Sequence, residues 1–142
     1  MSENALTSAH QELYKTHLQQ LQRKAEIETK RESAAARAWE LQMRCYTNGN
    51  QECIHEYDQL FIESQHLNRE SVAEGKKCVK ACESSVPGYN FGTQVADNET
   101  LKSSRLFFSC IKPCVERSIE YTNSEIKVAE KTIRVVNGYL KQ

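Results

Sequence analysis

The sequence predicts an all-α fold: long antiparallel helices paired as helical hairpins, stapled by disulfides and coiled-coil-like. Three observations predict it. Breakers are scarce, with five Gly and two Pro in 142 residues, while good helix formers are common. Apolar residues recur in steps of four and three over long stretches. Six cysteines take a spacing that suits paired helices: Cys78 with Cys82, Cys110 with Cys114, and Cys45 with Cys53.

The first helix is expected over residues 5–44. Tyr14, Leu18, Leu21 and Ala25 form a short seam on it, followed by the small-residue stretch Ala34, Ala35, Ala36 and Ala38. Trp39 and Met43 resume the apolar face. At 1.5 Å per residue this helix would be on the order of 60 Å long. Thr47-Asn48-Gly49-Asn50 ends it, because Gly and Asn accept the left-handed conformation of a helix stop.

A second helix is expected over residues 51–82, burying Ile54, Tyr57, Leu60, Phe61, Leu67 and Val72. Gly75 inside it costs roughly 1 kcal/mol against Ala, which suggests a close backbone contact. Pro87-Gly88 and Gly92 mark a loop over residues 84–97 that also carries Tyr89 and Phe91. Asp97 or Asn98 can cap the third helix, expected over residues 99–140.

That third helix has the cleanest period. Leu101, Phe108, Val115, Thr122, Ala129 and Val136 recur every seven residues, with Ile119, Ile126, Ile133 and Leu140 as a companion row. Pro113 falls inside it and removes a backbone hydrogen bond to Ser109, so a kink or break is expected there.

Only 39% of the residues are hydrophobic, so the chain's own core is thin. Disulfides remedy a thin core, each contributing roughly 2–4 kcal/mol. Residues four apart share a helix face. Two such pairs on antiparallel helices can join rung by rung, Cys82 with Cys110 near the loop and Cys78 with Cys114 one turn away. Cys45 and Cys53 suit a third rung across the Gly49 turn. Zinc remains the rival reading of the cysteines, since a spacing of three is permitted in structural sites. A redox-active Cys-x2-Cys is absent from the sequence.

His10, His17, His55 and His66 form no metal template, and His10 and His17 are expected to face solvent. No catalytic triad signature, nucleophile elbow or phosphate loop is present. Neither an enzyme activity nor a cofactor is expected. Equal numbers of basic and acidic residues, 19 each, give no charge excess to draw the chain to nucleic acid. No stretch approaches the roughly 20 apolar residues of a membrane span. Met1 to Lys15 is polar, without the apolar core of a secretory signal, and Glu3 and Glu12 precede Arg23, unlike a mitochondrial presequence.

The twin Cys-x3-Cys arrangement resembles the small Tim proteins of the mitochondrial intermembrane space. A closer likeness is to the family-with-sequence-similarity-136 (DUF 842) proteins, a mitochondrial group with several Cys-x3-Cys motifs on alternating helices. Met43-Arg44-Cys45 looks like the start of their first motif and Cys53 like the last cysteine of their second. Cys78-Val79-Lys80-Ala81-Cys82 and Cys110-Ile111-Lys112-Pro113-Cys114 follow in the same order. The likeness covers roughly residues 40 to 135, and the first hairpin departs from it by keeping two of four cysteines.

The resemblance implies the intermembrane space, where a thiol-oxidising relay traps small cysteine-motif proteins that lack a presequence. It also implies an import oxidoreductase as a partner during biogenesis. Phe107 and Leu106, a turn from Cys110, resemble the residues that position a docking cysteine for that oxidase. The function then expected is a structural or accessory subunit of an inner-membrane complex of the respiratory-chain or ATP synthase type, peripheral to the membrane. Ile119, Ile126, Ile133, Leu140, Tyr14, Leu18 and Leu21 are the expected partner contacts. The alternative is a small-Tim-like chaperone for hydrophobic precursors.

Overall fold

A computed structural model describes the backbone of residues 3–90 and 92–141, and the side chains of residues 8–90 and 92–141. Phe91, one of the two loop aromatics, lies outside the described residues. Among the described residues the fold is all-helical, with three helices: α1 (Glu3–Asn48), α2 (Gln51–Ser85) and α3 (Asn98–Leu140).

α1 runs on to Asn48, past the expected end at Arg44, because the stop is a paired set of backbone bonds rather than a propensity change. Gly49 adopts φ +65°. Its N–H donates to the Tyr46 carbonyl at 3.1 Å, and the Asn50 N–H donates to the Cys45 carbonyl at 3.2 Å. These two bonds satisfy carbonyls that a helix end otherwise leaves orphaned. Asn50 also starts α2: its Oδ1 accepts the Cys53 N–H at 3.0 Å. One residue therefore closes one helix and caps the next. Cys45, before the turn, and Cys53, after it, are joined by a disulfide with Cα atoms 5.7 Å apart.

The linker from α2 to α3 folds back at Gly88, φ +80°. Asp97 is the cap of α3, accepting at 2.8 Å from both the Thr100 N–H and the Thr100 hydroxyl. Those two bonds hold its carboxyl below the usual carboxylate range.

Two expectations are corrected here. Pro113 does not break α3, which continues through it to Leu140. Gln20 donates from Nε2 to the Lys112 carbonyl, next to the proline, at 2.9 Å. Gly75 is not a site of close backbone approach: a Cβ placed there meets nothing within 4 Å.

The chain divides into two compact units, one of Met1–Lys24 with Ala73–Ser118, the other of Ala25–Val72 with Ile119–Gln142. The first unit buries Cys82, Val86, Tyr89, Phe107, Ile111 and Cys114. Its disulfides Cys78–Cys114 and Cys82–Cys110 hold Cα atoms 5.8 and 5.7 Å apart, an ordinary span for the bond. The pairing falls in number along α2 as it rises along α3. Tyr89 closes the end of this core, its hydroxyl donating to Ser104 Oγ at 2.8 Å and its ring 5.2 Å from that of Phe107. The second unit buries Ala38, Leu41, Cys45, Cys53, Tyr57, Ile133 and Val136.

Candidate interaction surface

The second unit exposes more large apolar side chains than its thin core accounts for. Trp39, Met43 and Tyr46 are spaced i, i+4 and i+7 on α1, which places them on one helix face. They are 57%, 47% and 51% exposed. On α2, Phe61 and Ile62 are 47% and 60% exposed. Phe61 stacks on Tyr57, with ring centroids 6.1 Å apart.

Trp39 and Phe61 line the same groove, a cavity of about 360 Å³. Ala35, Ala36, Ala38 and Ala129 also line it, and among the described residues no charged side chain does. Small side chains let another backbone approach closely, and large aromatics at the edge supply contact area at low entropic cost. Burial pushes the Tyr57 phenol up, and the nearby Asp58 and Tyr46 push it further in the same direction. The phenol therefore stays protonated and neutral at the groove. In the same unit the Glu125 carboxylate is buried and held by Arg31, Oε2 to Nη1 3.0 Å.

The chain matches no known family, curated protein or solved structure.

The residues expected to contact partners divide by burial. Tyr14, Leu18 and Leu21 lie on the surface of α1, 44%, 40% and 37% exposed. Ile126 and Leu140 are half-buried. Ile119 and Ile133 are buried, so they belong to this chain's own core and offer nothing to an outside partner. Phe61 and Val72, expected on the buried side of α2, are exposed instead. Trp39 and Met43 carry the expected apolar face of α1 outward.

The two N-terminal histidines also depart from expectation. His17 is buried, its ring 5.2 Å from that of Phe108, and burial lowers its pKa. His10 is half-buried, with Nδ1 3.4 Å from Ser104 Oγ. A seven-residue spacing correctly puts both on one face; the approach of Phe108 and Ser104 from α3 is a tertiary contact that spacing does not encode. Phe107 is fully buried, which leaves Leu106, 56% exposed, as the accessible member of that pair.

All six cysteines are committed to disulfides, so none is left as a thiolate for a metal. Among the described residues no three His, Cys, Asp or Glu side chains converge as a metal site requires. Among the described residues no helix is long and apolar enough to cross a membrane.

Proposed function

We propose that this protein is a non-enzymatic, disulfide-stapled subunit of a larger assembly in the mitochondrial intermembrane space, holding its partner through the uncharged groove of the second unit. α2 and α3 form an antiparallel hairpin clamped by the Cys78–Cys114 and Cys82–Cys110 rungs, and α3 contributes a coiled-coil-like seam. The observation that carries the role is the groove itself. An apolar surface edged by Trp39 and Phe61, floored by alanines and free of charge is what a fixed protein contact uses. Nothing in it pairs a nucleophile with a base.

The compartment rests on the cysteines. Three disulfides with no free thiol need an oxidising surrounding to form and persist. The likeness of their spacing to the family-with-sequence-similarity-136 and small Tim proteins points to the intermembrane space, on the outer face of the inner membrane.

Two assays on the tagged full-length protein test this. In isolated mitochondria it should resist added protease until the outer membrane is opened, and its cysteines should resist alkylation without reductant. Affinity purification should recover one stoichiometric set of partners, and Trp39→Glu with Phe61→Glu should lose that set. A diffuse set of hydrophobic precursors, weakened rather than lost by the variant, would support the chaperone instead. A cytosolic protein with alkylatable thiols would overturn the compartment.

A further inference from the structure

The first unit carries a second groove of different chemistry, a cavity of about 580 Å³ between α1 and α3. One wall is a row on α1 that includes Ala9, Leu13, His17 and Gln20; the other is a row on α3 that includes Arg105, Phe108 and Lys112. Each wall follows residues three and four apart, so each runs along its helix for about three turns. Ala9 and Leu13, with the buried Phe108 and His17 behind them, give the lining its apolar part, between polar side chains such as Thr16, Gln19 and Ser109.

The charges at the edges are uneven. Arg23 is paired with Glu116, Nη1 to Oε1 3.0 Å, and Gln20 donates to the same oxygen at 3.1 Å. The Gln20 hydrogen bond, then the Arg23 charge, hold the Glu116 carboxyl below the usual range. That pair is internally balanced. Arg105 forms no ion pair with any described residue, and Lys112 contributes to Glu116 only as a nearby charge. Both are exposed and seven residues apart on α3, so two cations stand about 10 Å apart along one edge. The α1 edge carries Glu12 opposite them.

We propose that this groove seats an acidic amphipathic helix of a partner protein, with two carboxylates seven residues apart meeting Arg105 and Lys112 and its apolar face on the half-buried Ala9 and Leu13. A three-turn valley between two helices, part apolar and edged by charge, is a shape that receives an amphipathic helix. The two cations set the register of that helix, since only carboxylates two turns apart reach both. Glu12 on the other edge favours a basic residue across the partner helix from its carboxylates. This site is separate from the uncharged groove of the second unit, and its test does not depend on the mitochondrial assignment.

The test uses the purified, oxidised full chain and two blocked helical peptides, alike in a Leu face but carrying Glu or Lys at the two positions seven apart. Binding is read by fluorescence anisotropy at low and high salt. The Glu peptide should bind, weaken with salt, and bind about tenfold more weakly to Arg105→Glu/Lys112→Glu. The Lys peptide should bind that variant better than it binds the wild type. Both substitutions are at exposed positions, and circular dichroism checks that the fold is kept. Equal binding of the two peptides, or an unchanged variant, would overturn the proposal. So would binding of dodecanoate without binding of either peptide, which would make the groove an acyl site. Self-association of the free protein that the variant abolishes would also overturn it, by placing a second copy there.

Discussion

Arg31 on α1 holds the buried Glu125 of α3 at 3.0 Å, with Glu125 only 4% and Arg31 29% exposed. A carboxylate so placed has lost most of its water, and the guanidinium is the group that compensates it. Arg31→Met removes the partner and leaves the carboxylate uncompensated. The expected cost is about 3 kcal/mol, the lower end for a broken buried pair because Arg31 is partly wet. Arg31→Met with Glu125→Leu should recover most of it. Urea denaturation of the three proteins checks this, and a double variant no more stable than the single one would refute it.

His17 gives the fold a pH dependence. Its folded pKa is lowered by burial, below the ordinary value of about 6.5. In the window between those two values the unfolded chain binds the proton and the folded one does not. Stability is therefore complete above about pH 6.5 and falls as the pH drops toward the folded pKa. The urea midpoint of the wild type should decline from pH 7.5 to pH 5, and His17→Gln should flatten that decline. A wild type that gains stability over the same interval would contradict the burial of His17.

Gly75 lies inside α2 with open space where a side chain would go. Gly75→Ala should then stabilise the protein by about 0.5–1 kcal/mol, through helix propensity and a less flexible unfolded chain. Thermal denaturation reads the gain. A loss would mean that another backbone does approach there.

The two rungs of the first unit are expected to act unequally when removed in turn. Cys78–Cys114 and Cys82–Cys110 span 36 and 28 residues of sequence. Alone, either closes a long loop and is worth about 3–4 kcal/mol. With one closed, the other closes only the short segments between rungs and adds about 2–3 kcal/mol. Replacing Cys78 and Cys114 by Ser should cost that smaller amount, and replacing all four about twice as much or more. Calorimetry on the two variants checks it; equal losses would mean that one rung carries no constraint.

Much of the fold was legible because its signals are local. Helix formers and missing breakers mark α1, α2 and α3, and the spacing of Cys78, Cys82, Cys110 and Cys114 reads directly as two rungs between helices. The misses have tertiary causes. Pro113 removes one hydrogen bond, but a helix of 43 residues held by disulfides at Cys110 and Cys114 absorbs that loss. Phe61 shares a helical face with Tyr57, yet only Tyr57 is covered, because period gives the face and not how wide the covering is. Trp39 and Met43 lie on the apolar face of α1 as their spacing predicts, and that face is open to solvent there. The candidate groove is therefore only half legible in the sequence: the small-residue stretch and Trp39 stand out along α1, while Phe61 reads as buried on α2.

The most direct measurement is the native size of the endogenous protein in a mild-detergent mitochondrial extract, compared with Trp39→Glu/Phe61→Glu expressed in its place. A subunit held by the uncharged groove should migrate with one large assembly, and the variant should be released from it as a small species. A wild type found as a discrete small oligomer, or a variant that stays with the large assembly, would contradict the assignment.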